Sequence, residues 1–188
     1  WFRAQSDGRA VALSVRGPSG IGKSALLERF LSDLEGSGDR GEGLRGRCHP
    51  RETLPFGALD AWLDHLASDP QGVAEAASRV AADVDLGALA VLFPALAVAL
   101  GRRETRTVVD RQRGEAARGL GRLLAAWAER RPLILACDDA QWMDPDSASV
   151  LREVVGELTE RPVLMIWVER TELPERPSFR AARDLSSL

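Results

Sequence analysis

Residues 17–24 read "GPSGIGKS", and the lysine in that stretch, Lys23, is the only lysine of the chain; the other 24 of its 25 basic residues are arginine. The spacing G-x-x-x-x-G-K-[ST] is met by Gly17, Gly22, Lys23 and Ser24. In such a loop the backbone N–H groups converge on one hollow and the following helix adds the positive end of its dipole, so a polyphosphate binds there. Glycines let the backbone approach closely. A lysine at the end of the loop reaches β- and γ-phosphates as a compact charge, which a planar guanidinium does not reproduce in so tight a curl. The loop, Gly17, Pro18, Ser19, Gly20, Ile21, Gly22, Lys23, Ser24 and Ala25, is therefore the candidate nucleotide cradle.

The flanks agree. Ala10 to Arg16, "AVALSVR", is a short apolar run that suits a parallel strand, and "KSALLERFLSDL" after the loop has helical spacing. Gly43 to Cys48 reads as a second strand. Helical patterns follow: "PFGALDAWLDHLAS", with Leu59, Trp62, Leu63 and Leu66 on one stripe, then Gln71 to Ala82, Leu86 to Leu100 and Asp110 to Arg130. Leu133 to Cys137, "LILAC", is a third strand, Pro145 to Thr159 a helix, and Val163 to Val168, "VLMIWV", a fourth strand. Strands alternating with helices predict a three-layer α/β fold around a mostly parallel sheet, with a helical insertion between strands 2 and 3. Length suits one domain, residues 1–188.

Composition narrows the partners. The chain has 188 residues, net charge −3 and 45% apolar residues; nothing advertises a global nucleic-acid or membrane field. The arginine-rich tract from Arg102 to Arg122 also carries Glu104, Asp110 and Glu115 and reads as a solvated helical face. Leu86 to Gly101 is too short for a membrane span and is interrupted by Pro94. Cys48 and Cys137, with His49 and His65, match no zinc spacing and read as reduced, buried thiols of a cytoplasmic protein.

Two further segments bear on chemistry. "LILACDDAQWMD" sets Asp138 and Asp139 directly after an apolar strand, where carboxylates face the magnesium of a bound nucleotide. Asp138 is read as holding the metal through a water and Asp139 as polarising the attacking water. "VLMIWVERTE" ends its strand with Glu169 and Arg170, and an arginine there can report a terminal phosphate. Trp142 reads as packing under the helix.

On "GPSGIGKSALL", "CHPRETLPFGALDAWLDHL", "PLILACDDAQWMDPDSASVL" and the strand ending in Arg170, the chain resembles the nucleotide-binding domain of STAND-class P-loop ATPases, closest to the AAA-type ATPase domain of large bacterial LuxR-family regulators. The resemblance implies a switch that holds ADP at rest and ATP when activated, with Lys23 and Ser24 at phosphate and Mg2+, Asp138 and Asp139 at metal and water, and Arg170 as sensor. It also implies a sheet order 1-4-3-2, with the first strand at an edge because the fifth strand, lid and winged helix of such domains lie beyond the chain. Nucleotide and neighbouring domains of a longer chain are the implied partners, with nucleotide-dependent self-association and with DNA met through another domain. A replication-initiator-type AAA+ ATPase, a small-molecule P-loop kinase and a nucleotide-binding scaffold without turnover are the rival readings.

Overall fold

The computed structural model describes residues 7–36, 41–50, 55–102 and 110–172. Its elements are β1 (Val11–Gly17), α1 (Lys23–Gly36), β2 (Glu42–Arg47), α2 (Gly57–Ala67), α3 (Pro70–Val80), α4 (Leu86–Leu92), α5 (Pro94–Ala97), α6 (Asp110–Ala128), β3 (Leu133–Asp138), a 3-10 turn (Ala140–Trp142), α7 (Pro145–Leu158) and β4 (Val163–Arg170). Arg103, Glu104 and Arg106 of the arginine-rich tract lie outside the described residues.

The strands pair in parallel in the order β1-β4-β3-β2. This is the predicted order, and it follows from hydrophobicity. Every residue of β3, and all but the last of β4, is buried, as strands covered on both faces must be. β1 alternates more weakly, exposes Ser14 and Arg16, and leaves Leu13 49% exposed, so it can afford the edge.

Side-chain alternation splits the core into two layers. On one face Ile134, Ala136, Leu164, Ile166 and Val168 pack with Leu27 and Leu34 of α1. On the other, Leu133, Leu135, Cys137, Met165 and Trp167 join the larger core built by α2 to α7, where Leu59, Trp62, Leu63 and Leu66 are buried as their helical stripe predicts. The Trp62 indole N–H reaches the Ala136 carbonyl at 3.0 Å and fixes α2 on the sheet.

The expected helix from Leu86 to Leu100 is two. Asp85 caps α4 through the N–H groups of Gly87 and Ala88, and the chain breaks at Phe93 (φ −125°, ψ 78°). Pro94 forces that break, because the residue before a proline is driven out of the helical region. On the outer surface, Arg113, Arg118 and Arg122 of α6 pair with Asp146, Glu153 and Glu157 of α7. The described part of the arginine tract is thus a solvated, ion-paired helix face. Cys48 and Cys137 are both buried and unbridged, with sulfurs 3.3 Å apart. The Cys48 thiol contact, and then burial, push the Cys137 thiol well above its usual range. No helix among the described residues is long and apolar enough to cross a membrane.

Candidate functional site

Register decides where the chemistry gathers. Gly17 of β1 pairs with Arg170 of β4, Arg47 of β2 with Asp138 of β3, and Cys137 of β3 with Trp167 of β4, so all four strands finish at the same end of the sheet, with β1 and β4 reaching past β2 and β3. In open parallel sheets ligands bind in the crevice outside those ends.

The loop leaves β1 at Gly17 and enters α1 at Lys23. Gly20 and Gly22 have φ of 79° and 98°, with open space where a side chain would stand. Backbone conformation, not crowding, demands glycine at these two points. Pro18, Ser19, Gly20, Ile21, Gly22 and Ala25 are exposed at the end of the sheet, and Lys23 and Ser24 are half-buried at the start of α1. The Lys23 ammonium is turned back on its own loop, donating to the carbonyls of Gly17 at 2.8 Å and Pro18 at 2.7 Å.

Asp138 ends β3 on the α1 side of the sheet, in phase with Ile134 and Ala136. Its Oδ1 accepts the Asp139 N–H at 2.9 Å. Its Oδ2 is buried and has no hydrogen-bond partner, with the Arg45 guanidinium 3.5 Å away and itself bound to Glu28 of α1. An orphaned, buried carboxylate oxygen is costly unless a ligand completes it. A hydrated divalent cation would fit that requirement, and Ser24 lies in the first turn of α1.

Asp139 adopts φ 53°, a left-handed conformation uncommon outside glycine, and this turns its side chain away from β3 toward β4. There Oδ1 accepts from Arg170 Nε at 2.8 Å and Gln141 Nε2 at 3.1 Å, while Oδ2 accepts from Arg47 at 3.0 Å and Arg170 at 3.3 Å. Gln141 completes the ring by accepting the Arg170 backbone N–H at 3.1 Å. Burial alone would raise the Asp139 pKa, but the bonds from Arg170, Gln141 and Arg47 outweigh it and hold the carboxyl below its usual range. The same pair raises the pKa of Arg170.

Asp144 does not enter this network: it caps α7, accepting from the Ser147 N–H at 2.8 Å and the Phe56 N–H at 3.4 Å. Trp142 is partly buried against the larger core. Sequence reasoning missed Arg47 and Gln141. Arg47 stood in a predicted strand, and the signal was its place at the strand's carboxyl end; Gln141 gave none.

A parallel sheet in the order β1-β4-β3-β2, with helices on both sides and a glycine-rich loop between β1 and α1, is a P-loop NTPase α/β fold. The family model of the AAA ATPase domain matches residues 2–166, and the chain belongs to that family of P-loop ATPases. It is also similar to an uncharacterized protein of Rhizobium meliloti (strain 1021), 27% identical over 178 residues, a match covering 87% of this chain and 16% of that protein. The chain therefore spans only a small part of that relative's length.

Proposed function

We propose that residues 1–188 are the ATP/ADP-binding module of a STAND-class signal-transduction ATPase in a bacterial transcription regulator, a slow Mg2+-dependent hydrolase whose product is a conformation. The observation that carries this reading is the position of Arg170. It ends the strand that lies between the loop strand and the strand of Asp138 and Asp139, and its guanidinium holds Asp139. One residue thus stands between the group that would orient water and the loop that would hold phosphate.

Gly17 to Ala25 would cradle the polyphosphate, with Lys23 exchanging two loop carbonyls for phosphate oxygens. Magnesium would be held by Ser24 directly and by Asp138 through water; it would neutralise charge on the phosphates. Asp139 would orient the attacking water once Arg170 and Arg47 let go. While Arg170 and Arg47 hold it, the lowered pKa keeps Asp139 ionised but a weak proton acceptor, which suits a resting state.

Arg170 would then bind the terminal phosphate and distinguish ATP from ADP. The same residues in a cytoplasmic protein with buried free thiols would serve neighbouring domains of a longer chain, nucleotide-dependent self-association and, through another domain, DNA. Steady-state phosphate release with and without Mg2+ tests the reading. Slow, metal-dependent turnover supports it, and none with bound ATP would leave a scaffold.

A further inference from the structure

Past the end of β4 the chain turns through Thr171 and Glu172, and both reach back to the loop. The Thr171 N–H donates to the Gly17 carbonyl at 3.3 Å, and the Ser19 N–H donates to Glu172 Oε1 at 2.9 Å. A carboxylate therefore sits on a backbone N–H of a loop whose chemistry is to bind phosphate oxygens. The Lys23 ammonium meanwhile is satisfied by two carbonyls of the same loop. Two residues upstream, Arg170 is committed to Asp139.

We infer that Glu172 is a phosphate-mimicking latch: its carboxylate occupies the Ser19 N–H of the loop and must leave before any nucleoside polyphosphate can bind. This rests on the nucleotide reading above and adds to it a residue that sets affinity. The physical argument is competition. A phosphate approaching the loop meets a fixed negative charge and finds one N–H already used, so both repulsion and the lost hydrogen bond oppose its entry.

Displacement costs little in packing, since Glu172 is exposed and its side chain can swing into water. It also removes a carboxylate from the neighbourhood of Arg170 as the guanidinium gains a phosphate in prospect. Glu172 and Arg170 therefore act in opposite directions. The carboxylate disfavours every polyphosphate, whereas the guanidinium favours the one with a terminal group to offer.

The test is calorimetry on the full chain with MgADP and MgATP, comparing wild type with Glu172→Gln and Glu172→Ala. Removing the charge should tighten both nucleotides by about three- to tenfold, the scale of one charge-assisted hydrogen bond in competition. Glu160→Gln, which alters an exposed pair with Arg9 remote from the loop, should change neither. Wild-type binding with unchanged or weaker affinity in both Glu172 variants overturns the latch and leaves the nucleotide site standing. Binding by none of the proteins would sink the nucleotide reading, and the latch with it.

Discussion

Arg170 Nε lies 2.8 Å from Asp139 Oδ1, joining the end of β4 to the residue that follows β3. The pair is more than a surface ion bridge, because the Asp139 side chain is only 11% exposed and its remaining acceptors are filled by Arg47 and Gln141. Whatever draws Arg170 toward a phosphate must draw it off this carboxylate. That competition sets the size of the effects expected at both residues.

Arg170→Ala should weaken ATP and spare ADP. A charge-assisted hydrogen bond contributes roughly 1.5–3 kcal/mol, or about ten- to hundredfold. Surrender of Asp139 offsets part of that gain, so about tenfold is expected. Dissociation constants for both nucleotides at one Mg2+ concentration decide it, and equal weakening of the two would place the sensing element elsewhere.

Asp139→Asn should keep MgATP bound while lowering turnover by about 10²- to 10⁴-fold, the range of a positioned acid–base group. Asp138→Asn should instead weaken the Mg2+-dependent part of binding, since it alters the orphaned oxygen. Single-turnover phosphate release separates the two, and an unchanged rate in Asp139→Asn would remove Asp139 from the reaction.

The same carboxylate predicts an acid response. Its folded pKa is depressed, so its stabilisation is fully present above the unfolded value of about 3.9 and is lost as pH falls through the lower folded value. Between pH 6 and 8, taken as about neutral, this group contributes no pH dependence. Chemical denaturation across the acid range should show a shallower fall for Asp139→Asn than for wild type, and identical slopes would mean that the ion pair does not stabilise the fold.

Two glycines should respond in opposite directions. A Cβ at Gly46 would stand 2.5 Å from the Ala58 carbonyl and 3.1 Å from Trp62 Nε1, prising α2 from β2. Gly46→Ala should cost about 1–3 kcal/mol. Gly156, exposed on α7, meets nothing within 4 Å, so Gly156→Ala should gain about 0.5–1 kcal/mol. Denaturation midpoints moving the same way in both would show that the packing is not as described.

The loop, its flanking strand and helix, and the acids after β3 were legible because their chemistry depends on local spacing: Gly17 to Ser24 is one continuous segment, and Asp138 and Asp139 follow one apolar run. The β1 edge and the 1-4-3-2 order came from resemblance, and the parallel pairings bear them out. The network around Asp139 was not legible. Arg47 and Asp139 stand 92 residues apart, and Glu172 and Ser19 stand 153 apart, so only register brings them together. Nor does the sequence announce the left-handed turn at Asp139 that aims its carboxylate at Arg170 instead of along β3.

If Gly17 to Ala25 binds nucleotide phosphates through Lys23, Lys23→Ala is the most direct test. The side chain's partners are two carbonyls of its own loop and no core residue, so its loss should leave the core intact. Calorimetry with MgATP and MgADP, paired with a thermal melt in buffer alone, is the measurement. Binding of both nucleotides should disappear while the melting temperature stays within about 2 °C of wild type, the shift of a substitution worth under about 0.5 kcal/mol. Retained affinity with an unchanged melt would contradict it.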